Sequence, residues 1–410
     1  MRTMSLRALL LLLSLLLCGA CMTPSGLQPY PTRLDRARAQ IDLRLERVKA
    51  GGKNLSFGIL TNLQSLPLDG VGAVLVVTEK NGKMSLVDLE SGERNVVLEL
   101  DGLGNYMEMG LVGVAFHPGF ADNRRFFTYK VAVNPDSKDS PAQSVIDEWR
   151  LEGDALADMK ASAVGTIIRF DQPQEGHQSG EIAFGPDGYF YFPTGDGGFQ
   201  GDPNNVSQDP TNHYGTVLRL DVDNPSEGKA YSIPPDNPFI NGGHLPETWA
   251  YGFRNPWRST FAPDGRYIVA DVGQNAMEEL NIVVRGGNYG WSLKEGSGCF
   301  KPRREREGSC DQADLIDPLF EYAREEGVAV IGGYFYLGSN FPELHGKYVF
   351  GDHFSGRIWT LELPETNDGE PKINAAGRTG LTLTTFGVDP DGEILVGTIG
   401  GRVYRVVSAP

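Results

Sequence analysis

IAFGPDGYFYFPTG, residues 182–195, reads as strand, Pro-Asp-Gly turn, strand. Its apolar runs are rich in aromatic residues, and the glycine supplies the positive φ that so tight a turn needs. VLVVTEKNGKMSLVDL (74–89) repeats the plan around an Asn-Gly turn. STFAPDGRYIVADVG (259–273) and LTTFGVDPDGEILVGTIGGRVYRV (383–406) do the same around Pro-Asp-Gly. VGVAFHPGFADNRRFFTYKV (112–131) and GGYFYLGSNFPELHGKYVFGDHFSGRIWTLEL (332–363) are variants with longer turns. Six hairpin-rich units with few helical patterns point to an all-β chain folded as a six-bladed β-propeller, with an array of β-sandwiches as the competing architecture.

A propeller also explains the ends of the chain. Residues 34–49 can be drawn as an amphipathic helix, but IDLRLERV (41–48) alternates apolar and polar and suits a half-buried strand better. Such a strand could pair with GRVYRVV (401–407), closing the ring and removing two exposed edges.

With 410 residues, 40% of them hydrophobic, the chain has material for a large core, and large all-β folds often reach this length as one domain. Acidic residues (53) outnumber basic ones (37), for a net charge of −16. That balance argues against a nucleic-acid partner, because phosphate binding needs clustered Lys and Arg. The one basic run, KPRRER (301–306), reads as a solvated loop.

At the N-terminus, Arg2 and Arg7 precede an apolar run from Ala8 to Leu17 and then small residues ending at Cys21. The run is too short to span a bilayer and fits a secretory signal, residues 1–20. Gly19 and Ala20 before Cys21 resemble a lipobox, which would make Cys21 a lipid anchor, although Cys18 stands where such motifs usually carry Leu. Ordinary signal cleavage is the alternative. Either way the expectation is an exported protein, in the periplasm or at the cell surface, that meets the membrane only through its anchor. The polar, proline-containing residues 21–40 read as a tether, and 41–410 as the propeller. Of the four cysteines, Cys299 and Cys310 remain, and in an oxidising compartment they most simply pair.

His177 precedes the first strand of its hairpin and Asp196 follows the second, so the turn brings both to one rim. A histidine beside a carboxylate is the usual arrangement of a general base. Arg254 and Asn255, in YGFRNPWR (251–258), converge on the same face, where a cation could stabilise developing negative charge. Gly273 and Gln274 could offer backbone carbonyls to calcium, a hard cation that accepts such oxygens. GDGGFQGDPNNVSQDP (195–210) suits calcium or a tight loop equally, and it lacks EF-hand spacing.

GLVGVAFHPGF (110–120), GHQSGEIAFGPDGYFYFPTGDGG (176–198), YGFRNPWR and VGQNAMEELNIVVRGGNYGW (272–291) occur in the order seen in the soluble glucose/sorbosone dehydrogenase family, which the chain resembles over roughly residues 40–408. YSIPPDNPF (231–239) and the cysteine pair after NYGW are similar to its Hedgehog-interacting-protein-like branch. The resemblance implies a six-bladed propeller that oxidises sugars with pyrroloquinoline quinone (PQQ) and calcium. It makes His177 the catalytic base, Asp196 its orienting carboxylate, and Arg254, Asn255 and Gln178 cofactor contacts. Gly273 and Gln274 become calcium ligands, and Glu108 a substrate contact. The chain also departs from the pattern. Phe354 stands at the position of a cofactor lysine, the neutral run LTLTT (381–385) replaces a pair of arginines, and Arg357 and Arg378 lie nearby out of register. The alternative is therefore a propeller lipoprotein without the cofactor that binds carbohydrate or a protein partner at the cell surface.

Overall fold

The computed structural model describes residues 43–408, except Asn105, Lys138, 301–309 and 311–313. The expected signal segment, the anchor Cys21, the tether and the KPRRER loop lie outside the described residues. Within them, strands assemble into four-stranded antiparallel units. The first unit comprises Leu60–Ser65, Val74–Glu79, Lys83–Asp88 and Arg94–Glu99. The second comprises Gly110–Phe116, Arg125–Val133, Ala142–Glu152 and Lys160–Gln172, and the third Ala183–Phe184, Phe190–Pro193, Thr216–Leu220 and Thr248–Tyr251. In the fourth are Pro256–Phe261, Tyr267–Asp271, Met277–Val283 and Phe320–Ala323. The fifth holds Val330–Phe335, Tyr348–Asp352, Arg357–Glu362 and Lys372–Arg378.

The sixth unit takes three strands from one end of the described chain, Leu383–Val388, Ile394–Thr398 and Val403–Ser408. Its fourth strand, Leu43–Arg47, comes from the other end and runs antiparallel from Leu43↔Ser408 to Arg47↔Tyr404. Every hairpin read from the sequence is present, and so is the closing strand. The sixth and first units also touch edge to edge, Gly387 opposite Leu63. A Cβ on Gly387 would lie 2.1 Å from the Leu63 carbonyl oxygen, so only glycine permits that approach.

Hydrophobic burial follows the same cycle. Val76 and Leu86 of the first unit pack on Val114 and Phe126 of the second. Tyr129 and Ile146 meet Phe190 and Leu218 of the third, and Tyr191 and Val217 meet Tyr267 and Val269 of the fourth. Ile268 and Leu280 then meet Phe350 and Trp359, and Ile331 and Val349 meet Phe386 and Val396. Finally Leu395 and Val403 meet Leu60 and Leu75, which closes the ring into a β-propeller. Each sheet is covered on both faces. That is why second strands such as Val74–Glu79, Tyr348–Asp352 and Ile394–Thr398 are buried at every position, whereas the outermost Leu43–Arg47 alternates.

At the middle of this ring lies a charge. Arg258, 2% exposed, donates from Nη1 to the carbonyls of Val112 (2.9 Å) and Gly180, and from Nη2 to that of Thr61. Its Nη1 stands 3.4 Å from Oε2 of the buried Glu181. Beside it, the Trp257 indole donates to the carbonyl of Thr384 at 3.4 Å. One guanidinium thus joins the first, second, third and fourth units, and its neighbour reaches the sixth. Burial pushes the Glu181 carboxyl up to about 7 despite the pull of Arg258.

Removing one partner of such a pair strands the other in a low dielectric. Arg258→Met should therefore lower the free energy of unfolding by about 3–5 kcal/mol in urea titrations, and adding Glu181→Leu should recover most of that loss. The pH dependence has a definite sign. Because the folded Glu181 holds its proton more tightly than the unfolded one, its contribution is complete below about pH 4.5 and is lost as pH rises through about 7. Glu181→Gln should flatten that part of the stability profile.

Candidate active site

Strands alternate in direction within each unit. The connectors between units and the loops joining second to third strands therefore emerge at one end of the ring. His177 lies in the connector into the third unit, and Asp196 in that unit's loop after Phe190–Pro193. Arg254 and Asn255 occupy the connector into the fourth unit, and Gly273 and Gln274 the loop after Tyr267–Asp271. Glu108 precedes the second unit, and Phe354 follows Tyr348–Asp352.

Three of these side chains touch in a row. His177 Nδ1 lies 2.7 Å from Asp196 Oδ1, and His177 Nε2 lies 2.9 Å from Nη2 of Arg254. A guanidinium only donates, so Nε2 must be the lone-pair nitrogen and Nδ1–H must donate to Asp196. Asp196 is fully buried and also accepts from the Trp291 indole N–H (2.8 Å) and the amide of Gly198 (3.0 Å). The Arg254 guanidinium lies 5.7 Å from the centre of the Trp291 ring, which completes the enclosure. His177 itself adopts a left-handed backbone (φ 57°), as does Ser179 (φ 74°), a strained conformation that surrounding contacts must hold. Gly195 makes the approach possible: a Cβ there would meet the carbonyl oxygens of His177 at 2.2 Å and Arg254 at 2.8 Å.

Glu108, Asn255 and Gln178 serve mainly to brace the rim. One oxygen of Glu108 accepts from the Gln178 amide (2.9 Å) and the other from the Asn255 side chain (2.8 Å), so neither is left over solely for a substrate. Asn255 Oδ1 accepts from the Ser179 amide at 3.2 Å. The Gln178 side chain is fully buried and donates back to the Gln174 carbonyl. Beneath them, Asp271 accepts from the amides of Arg254 (2.9 Å) and Asn255 (2.6 Å). Burial pushes the neighbouring Asp271 and Glu279 carboxyls above the ordinary carboxylate range.

The carbonyls assigned to calcium already hold cations of the chain. Gly273 O accepts from Arg254 Nη1 (2.8 Å) and Arg324 Nη2 (3.3 Å), and Gln274 O accepts from Arg324. Glu295 shapes this turn by accepting from the amides of Gln274, Asn275 and Ala276 at 2.6–2.9 Å. Arg324 in turn donates to Glu278 at 3.0 Å, and burial pushes that carboxyl up to about 8.

The sequence profile of the family described as glucose/sorbosone dehydrogenase matches residues 62–405. The chain belongs to that family. Among its relatives in the glucose/sorbosone dehydrogenase family, the HIPL1 protein of Arabidopsis thaliana is 35% identical over 370 residues, 73% of this chain and 53% of that protein. Quinoprotein glucose dehydrogenase B of Acinetobacter calcoaceticus is 30% identical over 306 residues, 68% of this chain and 61% of that protein. The chain thus spans little more than half the length of these curated relatives. The PQQ-bound aldose sugar dehydrogenase of Streptomyces coelicolor superposes with a TM-score of 0.69 at 22% identity, covering 91% of this chain and all of that one, which establishes a shared fold.

The residues of this family member do not fit a calcium-bridged quinone. A divalent ion at the Gly273 and Gln274 carbonyls would face two guanidinium groups at contact distance. Phe354 is 59% exposed where a lysine was expected, and Thr384 is buried with its hydroxyl unpartnered. Arg357 is committed to Glu326, and Arg378 sits across from it on the outer strand of the fifth unit. The two cysteines do pair as expected: Cys299 and Cys310 form a disulfide with Cα atoms 5.5 Å apart.

Trp291, Asp271, Glu295 and Arg324 complete the rim, although the sequence reading does not single them out. Trp291 closes a motif that the sequence displays, whereas Arg324, in FEYAREEG, carries no spacing signal at all. The contact geometry fixes one spectroscopic outcome. Nitrogen-15 NMR of neutral His177 should show the Nδ1–H tautomer, and removing both partners together, Asp196→Ala with Arg254→Met, should abolish that preference; an Nε2–H tautomer in the unmodified protein would contradict the arrangement.

Proposed function

We propose that this protein is an exported oxidoreductase acting on aldoses or related polyols, with His177 as the general base. The observation that carries this reading is the His177 Nε2 lone pair, held at the rim by Asp196 on one side of the ring and Arg254 on the other. A sugar hydroxyl taking the place of Arg254 Nη2 at that lone pair would give its proton to Nε2, and Asp196 would stabilise the imidazolium that results. Arg254, beside the same nitrogen, would favour the alkoxide character that develops on the sugar oxygen. Family membership and the quinoprotein among the relatives support oxidation as the overall chemistry. PQQ is the electron acceptor that this kinship suggests. Since the rim does not fit it together with calcium, only the proton transfer is assigned to residues of this chain.

A second reading has its own support. Tyr106, Met107, Phe199 and Phe354 are exposed apolar side chains on loops of the same end, which suits a lipoprotein that binds carbohydrate or a protein partner. Its anchor would be Cys21.

One experiment separates the two. The purified protein is mixed with PQQ, with and without calcium, and dye reduction is followed over a panel of sugars. Turnover is expected. His177→Gln should then reduce kcat by about 100-fold or more while leaving quinone absorbance on the protein unchanged. Neither quinone uptake nor turnover would leave the binding reading in place.

A further inference from the structure

Four oxygens converge on the guanidinium of Arg324. Nη1 donates to Oε1 of Glu278 (3.0 Å) and to the carbonyl of Val328, and Nη2 donates to the carbonyls of Gly273 (3.3 Å) and Gln274. They come from the loop after Tyr267–Asp271, the strand Met277–Val283 and the connector into the fifth unit. One carboxylate and three carbonyls form the kind of hard-oxygen set that calcium takes. Here the planar fork of a single side chain spans all four.

The cradle is braced from outside. The second oxygen of Glu278 accepts from the amides of Gly273 (3.3 Å) and Val330 (3.0 Å), which fixes the carboxylate toward Arg324. Glu295 holds the Gln274 turn from its other side. Arg254 adds a second guanidinium against Gly273 O, so a dication entering the cradle would meet one fixed positive charge after displacing another.

We infer that Arg324 is a built-in substitute for a divalent ion: its guanidinium is the resident cation of this rim, and the pocket takes its guest without calcium. A tethered cation does not dissociate, so no chelator can remove it. It also brings one charge where a metal brings two, and it fixes its partners by directed N–H bonds instead of coordination. The inference concerns which cation occupies the carbonyls and does not rest on the redox reading; it holds equally for a binding module.

The test uses the whole chain, stripped of metals and buffered above the range in which Glu278 titrates. Calcium is titrated calorimetrically into the unmodified protein and into Arg324→Ala, and thermal unfolding is recorded with excess calcium and with a chelator. The expected result is an unmodified protein whose Tm is the same in both conditions, beside an Arg324→Ala protein that gains one calcium site and a Tm raised by the ion. Arg324→Gln, which keeps a hydrogen-bonding side chain in place, serves as a second opened variant should the alanine form fold poorly. An unmodified protein that binds calcium and is stabilised by it overturns the inference. So do opened variants that remain indifferent to the ion. Neither measurement involves turnover, so a failure here is separable from a failure of the oxidoreductase reading.

Discussion

A single buried ion pair at the middle of the ring, Arg258 with Glu181, is the constraint on which the remaining geometry depends. Sheets that pack face to face around a circle leave backbone carbonyls of their innermost strands pointing at one another. Those oxygens need donors, and water is a poor solution beside the rings of Trp257 and Tyr334. A guanidinium supplies several donors from one plane, which is why it can serve Val112, Gly180 and Thr61 together. It costs a buried positive charge, and Glu181 offsets that cost. The connectors that end beside this hub are those that carry His177 and Arg254. The position of the hub and the position of the His177 ring are therefore linked by only a few residues of chain.

The rim is organised by the same device on a smaller scale. Asp196, Asp271, Glu108 and Glu295 each accept two to four N–H groups from loops that would otherwise lie apart. Carboxylates hold the backbone, and guanidinium groups hold the carbonyls. These four carboxylates are thus placed inside the rim and not displayed as a charged surface.

The architecture was legible because hairpin chemistry is local: Pro-Asp-Gly and Asn-Gly turns between aromatic and β-branched runs determine strands without reference to the remainder of the chain. The alternation in IDLRLERV likewise disclosed the closing strand, whose partner could be guessed from topology. His177, Asp196 and Arg254 came together as read, because a hairpin brings its two ends to one rim. The occupants of the Gly273 and Gln274 carbonyls could not be read in this way. They depend on Arg324, some fifty residues further on, whose direction is set by packing against Glu278 and not by any motif. For a similar reason Glu108 resembles a substrate contact in sequence, yet in space both its oxygens face amides of neighbouring connectors.

The pairing of Leu43–Arg47 with Val403–Ser408 carries a consequence for biosynthesis. The first of these strands to leave the ribosome is the last to find its partner, because that partner is made after all the other blades. Until Val403–Ser408 emerges, the nascent polypeptide presents two unpaired edges, each able to recruit a strand from another molecule. Assembly of the ring must wait for that final segment.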